Sequence, residues 1–326
     1  MIRQLLILFS FLISFQTWSQ NLPTGVITKI AFGSCNLQWS RQRIWNSVIE
    51  NQPQLWIWLG DNIYADTENM DEMDRLYQRQ RLNVNYKKLL QTCPVIGTWD
   101  DHDYGSNNVG KNYPEKRTSQ SYHLDFFNVP SNSPRRTQEG VYQSYDLGEG
   151  SKTIKIILLD TRYFREDPGP ESDMLGETQW KWLETTLQND EAEITIIGTS
   201  IQFSAGKHVF EEWLNFPKSY ERMKKTIAQS GKKHIFFISG DRHLSEVSKI
   251  DNKPSYPLFD FTSSGLTHSN FTMKDYENST RVSPLCVSQN FGIISINWDA
   301  KLIELECRGK GNFLYYSFQI PFSELE

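Results

Sequence analysis

The sequence predicts an α/β domain with two layers of sheet and helices outside them. Apolar runs of strand length alternate with helical segments over most of the chain, and each run ends in a turn rich in Gly, Asp or Ser. From Tyr256 onward the helices fade and short strands follow one another. No linker-like, low-complexity or repeated segment divides the chain after its leader-like start.

In order, "VITKIAFGSC" is a strand and "RQRIWNSVIEN" a helix, and "LWIWLGDNIY" is a strand with its turn. Met70 to Leu90 reads as one long, charged amphipathic helix, and "PVIGTWDDHD" as the next strand and turn. The stretch 106–134, rich in Asn, Pro and Arg, is an irregular excursion. Its helical piece "TSQSYHLDFFN" is expected to pack by Tyr122, Phe126 and Phe127. "TIKIILLDTR" is a strand and "GETQWKWLETTL" a helix with Gln179, Leu183 and Leu187 in register. "EITIIGTS", helical "SYERMKKTIAQS" and "HIFFISGDRH" repeat the pattern. "GIISINWD", "LIELECRG" and "FLYYSFQI" read as antiparallel strands.

A chain of 326 residues with 38% hydrophobic content can bury a large core, so nothing in its size limits this fold. The net charge of −5 argues against nucleic acid as an electrostatic partner. Arg3, the apolar run Leu5 to Phe15, and small Thr17 and Ser19 before Gln20 form a complete export leader. The expected organisation is therefore a signal peptide at 1–19 and one domain at 20–326. The apolar run is too short for a comfortable membrane span, so the mature chain is expected to be periplasmic or secreted, without a transmembrane segment. Export permits disulfides: Cys286 could pair with Cys307, and pairing of Cys35 with Cys93 stays open.

Cys35, Asp61, Asp101, Asp160, Ser200 and Asp241 each follow a hydrophobic strand. In sheets with crossover helices the carboxyl ends of the strands share an edge where ligand crevices form, so these residues are expected to converge. "TWDDHDYGSNN" packs Asp100, Asp101 and Asp103 together with no Lys or Arg among them, and a metal is the simplest counter-charge. Asp61 and Tyr64 of "GDNIY", Asp101 and His102 of "DDHD", Asp241 and His243 of "GDRH", and Cys35 offer carboxylate, phenolate, imidazole and thiolate. That donor set suits a di-metal centre. Asp61→Asn is expected to cripple activity and metal loading together, and Asp103→Asn to be far milder, Asp103 being assigned to turn structure.

"FGSC", "WLGDNIY", "TWDDHDYGSNN", "LDTRYFR" and "SGDRHLSE" resemble the motifs of PhoD-type alkaline phosphatases, within the metallophosphoesterase superfamily. The likeness runs from about Ala31 to Leu266. It implies a four-layer sandwich of two mixed β-sheets flanked by helices, and a site holding Fe3+ and Ca2+. By the resemblance, Cys35, Asp61, Tyr64 and His243 hold the iron. Asp61 bridges to a second ion completed by Asp241 and by either Asp101 or an asparagine such as Asn108. "GTSIQFS" stands where the wider superfamily usually has a metal-binding histidine after the strand.

The expected reaction is phosphoester hydrolysis by a metal-activated hydroxide. Arg162 and Arg242 are candidate phosphate clamps, with structural ion pairs to Asp160 or Glu246 as their alternative, and His102 is the candidate general acid. The expected substrate is a small-molecule or lipid phosphoester. A phospholipase-type phosphodiesterase is the alternative within this class. A non-catalytic exported binding protein is the alternative outside it, though its signature would be a broken ligand set and every ligand type is present.

Overall fold

The computed structural model describes residues 22–206, 210–253, 255–269 and 278–326, so the leader expected at 1–19 lies outside the described residues. Two six-stranded sheets face one another. In the first, β1 (Lys29–Gly33), β2 (Leu55–Leu59) and β3 (Val95–Thr98) run parallel. The antiparallel β10 (Phe291–Asn297), β11 (Leu302–Arg308) and β12 (Leu314–Pro321) extend it, in the order β12-β11-β10-β1-β2-β3. In the second, β5 (Lys152–Leu158), β6 (Ile194–Thr199), β7 (Ile235–Ser239) and β9 (Leu258–Ser263) are parallel. Antiparallel β4 (Gln143–Glu149) and β8 (Ser245–Ile250) form its two edges.

Strand β2 shows why the layers form. All five residues of "LWIWL" are buried, and with a period of two they serve two cores. Leu55, Ile57 and Leu59 join the core between the sheets, whereas Trp56 and Trp58 join the outer one. There the Trp45 ring of α1 (Ile44–Glu50) meets them edge-on at 4.9 and 5.2 Å. Phe32 of β1 and Phe261 of β9 close the gap between the sheets in a T-shaped contact at 5.0 Å. Helices α2 (Met70–Leu82), α3 (Val84–Thr92) and α5 (Lys116–Phe126) complete the layer over the first sheet, and the one-turn α4 (Asp101–Tyr104) follows β3. Helices α6 (Gly176–Gln188) and α7 (Pro217–Ser230) cover the second with Leu183, Leu187, Met223 and Ile227. This is the four-layer sandwich of two mixed sheets that the sequence and its resemblance led us to expect.

Met70 to Leu90 is two helices rather than one. Asn83 breaks it with φ −58° and ψ 126°, and its side chain accepts the Asn85 and Tyr86 N–H groups as the N-cap of α3. Strands β4 and β8 carry too few apolar residues to show a strand period, and β9 places Asp260 inside its apolar run. All four cysteines are free thiols. Cys286 and Cys307 lie within hydrogen-bonding reach of each other, whereas Cys35 and Cys93 belong to different regions, the strand-end cluster and the outer core.

Candidate metal centre

The carboxyl ends of β1, β2 and β3 meet those of β5, β6 and β7 along one edge of the sandwich. Two glycines allow the approach. Gly60 has φ +92° and a Cβ there would lie 2.3 Å from the Asp100 Cβ, and a Cβ on Gly240 would lie 2.6 Å from the Leu59 carbonyl oxygen. The loops leaving these strands bend sharply. Cys35, Asp61, Asn108, Asp241 and His243, five of the seven candidate ligands, have φ between +48° and +67°. Non-glycine residues rarely adopt this region, and the strain concentrates where the candidate ligands converge.

The Cys35 Sγ lies 3.4 Å from Asp61 Oδ2. The Tyr64 hydroxyl is 3.0 Å from that same oxygen and 3.0 Å from His243 Nε2. Donor atoms of Cys35, Asp61 and His243 all fall within 4.8 Å of one another, as do those of Asp61, Asp101 and His102, so the two groups share Asp61. The other Asp61 oxygen, Oδ1, is buried with no hydrogen-bond partner, an arrangement that costs free energy unless a cation satisfies it. Burial, then the charges of Asp101 and Asp100, push the Asp61 carboxyl well above its usual range. Burial and the Asp61 charge push the Cys35 thiol up as well. Buried acids of one sign with a soft sulfur, a phenol and an imidazole fit a metal cation on this structure's own chemistry.

Asp101 is held at both oxygens, accepting the N–H groups of His102 at 2.9 Å and Asn108 at 2.7 Å. The backbone of Asn108 thus lies on the Asp101 carboxylate, while the Asn107 N–H bonds Asp66 at 3.1 Å. Loss of solvation and the Asp101 charge push Asp241 up to about 7. His102 Nδ1 sits 2.7 Å from Asp66 Oδ1. Burial opposes charge on this imidazole, but the Asp66 bond and the Asp61 and Asp101 charges outweigh it and push His102 up to about 10.

Arg162 departs from the clamp expected of it. Its side chain is fully buried, 2.6 Å from Asp100 and 2.6 Å from Glu211, so its ion-pair partners are these and not Asp160. Arg165 completes the cluster, pairing with the other Glu211 oxygen and donating to the Asn108 carbonyl at 3.1 Å. Asp160 instead ties a turn, accepting from Trp99 Nε1 and the N–H groups of Val141, Arg162 and Tyr163. Ser200 donates to Asp100 at 2.7 Å, and Glu246 pairs with Arg281. The Arg242 guanidinium lies over the Phe210 ring at 4.3 Å.

Three residues at this edge escaped the sequence reading. His268 places its ring 4.2 Å from His243 and 5.2 Å from Tyr64. Asp66 orients His102, and Glu211 joins the two buried arginines. The signal for His268 was the polar run "TSSGLTHS" that follows the apolar part of β9.

A family model described as PhoD-like phosphatase matches residues 30–312. Alkaline phosphatase D of Bacillus subtilis (strain 168) is 23% identical over 220 residues, covering 57% of this chain and 37% of the relative. The chain thus spans little more than a third of that curated relative. A solved structure of PhoD superposes with a TM-score of 0.74 at 18% identity, covering 93% of this chain and 72% of that one. GAP50 of Plasmodium, described as the anchor in the inner membrane complex, gives 0.61 at 11% identity, covering 91% and 89%. A dimetal phosphatase from Danio rerio gives 0.53 at 12% identity, covering 91% and 99%. At these identities the structures speak for the fold.

Proposed function

Because the chain belongs to the PhoD-like phosphatase family, we propose that it is a metal-dependent phosphoester hydrolase acting at the edge where its two sheets meet. The observation that carries this reading is the pair of donor groups, Cys35, Asp61 and His243 and then Asp61, Asp101 and His102, joined through Asp61. Cys35, Tyr64, His243 and Asp61 would hold Fe3+, whose preference for thiolate, phenolate and imidazole they match. Asp61, Asp241 and Asp101 or Asn108 would hold Ca2+, which prefers oxygen. When bound, the metals supply Lewis acidity and a water acidified toward neutral pH.

The chain's own residues supply the rest. Asp66 holds His102 through Nδ1, leaving the Nε2 proton for the leaving-group oxygen. Arg242, whose guanidinium lies over the Phe210 ring, is the clamp we assign to a non-transferring phosphate oxygen. Arg162 acts indirectly by holding Asp100 at the base of the loop that carries Asp101 and His102. The substrate is a small phosphoester, and the complete donor set disfavours a binding protein without catalysis. No described helix is long and apolar enough to cross a membrane. We read residues 1–19 as an export leader ahead of a single domain, and the intact mass of secreted protein starting at Gln20 tests that.

The decisive experiment is metal analysis of purified protein with turnover of p-nitrophenyl phosphate and bis-p-nitrophenyl phosphate, before and after chelation. Turnover lost on chelation and restored by metal supports the proposal. A fully metal-loaded protein that hydrolyses neither ester overturns it in favour of the binding protein.

A further inference from the structure

Next to the metal centre lies a pocket of about 210 Å³ whose cations are Arg41, Arg43 and Lys310 and whose lining contains no carboxylate. At about 30 Å³ of liquid volume per water, this has room for an anion of phosphate size. The chain as a whole carries net charge −5, and arginines elsewhere, such as Arg117, Arg222 and Arg308, pair with carboxylates. Among the described residues no carboxylate pairs with Arg41, Arg43 or Lys310. Three exposed cations of one sign beside one cavity favour an anion there, to an extent that salt screens.

The backbone that carries the two arginines is fixed. Gln42 between them has φ +45° and is buried, its Nε2 donating to Leu37 O at 3.3 Å and Gln80 Oε1 at 2.7 Å, its Oε1 accepting from Trp45 Nε1 at 2.6 Å. With Gln42 turned inward, Arg41 and Arg43 on either side are exposed. The same Gln80 oxygen accepts Asn36 Nδ2 at 2.8 Å, and the Asn36 N–H bonds Asp61 O at 2.9 Å. One hydrogen-bonded chain thus ties the cationic loop to the candidate ligand loops.

The pocket also shares a wall with the centre. Thr267 lines it, sits with its N–H 3.4 Å from Cys35 O, and precedes His268, whose ring faces His243.

We propose that this pocket is a subsite for a second anionic group, a phosphate dianion carried by the substrate beyond the scissile ester. The inference rests on the phosphoesterase reading and narrows its substrate to polyanionic phosphoesters. Guanidinium and ammonium groups match phosphate oxygens by charge-assisted hydrogen bonds. The group could belong to a soluble bisphosphate or to a phospholipid head group, and binding at exposed cations weakens with salt in either case.

The test compares metal-loaded wild type with the triple variant Arg41→Gln, Arg43→Gln, Lys310→Gln. Calorimetric titration with butane-1,4-diyl bisphosphate and with butyl phosphate reads the subsite, and sedimentation with phosphatidylcholine vesicles containing phosphatidylinositol 4-phosphate, whose head group carries a monoester phosphate beyond its diester, reads the lipid source. The wild type should bind the bisphosphate at least about tenfold more tightly than butyl phosphate. The triple variant should lose that preference while keeping butyl phosphate affinity and p-nitrophenyl phosphate turnover. A preference seen only as vesicle binding, and lost in the variant, assigns the subsite to a lipid head group. A preference that survives the triple substitution, or is absent from both arms, overturns the subsite. Turnover of p-nitrophenyl phosphate in that case leaves the hydrolase reading standing. Lost preference in a protein that hydrolyses no ester supports the subsite and sinks the hydrolase reading instead.

Discussion

Asp61→Asn and Asp103→Asn are both near-isosteric changes of buried carboxylates, and the structure predicts that they act on different states of the protein. Asp103 uses every strong acceptor site it has: Oδ1 takes the N–H groups of Asp100 at 2.7 Å and Asp61 at 3.1 Å, and Oδ2 takes Asn62 Nδ2 at 2.6 Å and Asn62 N at 3.3 Å. An amide keeps one oxygen and turns an NH2 group against the other two donors. Leaving two buried donors unpaired costs about 1–3 kcal/mol each, so Asp103→Asn should lose about 2–6 kcal/mol with or without metal. This loss falls on stability, because Asp103 ties the "GDN" loop to the "DDHD" loop, whereas the milder effect expected of it concerns activity and metal loading. Asp61 is the opposite case. One oxygen is unpartnered, and an amide oxygen still accepts from Tyr64. Metal-free Asp61→Asn should therefore match wild type within about 1 kcal/mol or exceed it. What it forfeits is metal-linked stability, about 2.7 kcal/mol at a metal concentration one hundred times Kd. Denaturant unfolding in chelator and in added metal separates the terms. An Asp61→Asn protein that keeps the metal-dependent gain, or falls as far as Asp103→Asn in chelator, refutes the reasoning.

Three further outcomes follow from named contacts. His102→Ala should slow alkyl phosphoester hydrolysis about a hundred- to ten-thousand-fold while largely sparing p-nitrophenyl esters, whose leaving group needs little proton assistance. Metal content should stay unchanged, and its loss would make His102 a ligand, as its grouping with Asp61 and Asp101 allows. Tyr64→Phe should shift or bleach the visible absorption of iron-loaded protein while leaving its circular dichroism intact, and an unchanged band removes Tyr64 from the ligands. His123 is fully buried in α5 between Trp99 and Phe127, and neither ring nitrogen has a partner. Burial, with the Arg135 charge, holds its pKa well below the usual 6.5. The unfolded chain therefore binds the proton first, and stability falls as pH drops below about 6.5, by about 1.4 kcal/mol per unit. Burial holds His243 and His268 low too, to about 3 and about 4, so His123→Phe should remove only the His123 share of the slope between pH 6 and 5, and parallel profiles for the two proteins would show that His123 contributes none of it.

The readable part of the site was the part written in local contrast. Asp61, Asp101 and Asp241 stand out because each follows an uninterrupted apolar strand, and a parallel sheet brings such ends together whatever the details of its packing. His268 was lost because β9 carries Asp260, Thr262 and Ser263 within the strand itself, so its end has no sharp edge in the sequence. Asp66 and Glu211 were lost for another reason: an acid in a polar loop looks solvated until its partner, His102 or Arg162, is known. The same limit misplaced Arg162. An arginine just past a strand has one appearance in sequence whether it faces a phosphate or a buried carboxylate, and here it takes Asp100. That distinction resolves the acidic cluster itself. The sequence shows that Asp100, Asp101 and Asp103 need compensation but cannot apportion it. Asp100 has a buried guanidinium, and Asp103 has backbone and amide N–H groups. Asp101 feels the Arg162 and His102 charges and two N–H groups, which against the burial that opposes them hold its carboxyl below the usual range. Asp61 is left with a phenol, a thiol and one bare oxygen. Asp100 also keeps a bare oxygen, Oδ2, and burial pushes its carboxyl up to about 8, but it has the Arg162 cation beside it. Asp61 has a bare oxygen and no cationic side chain paired with it, which is why the test of metal dependence belongs there.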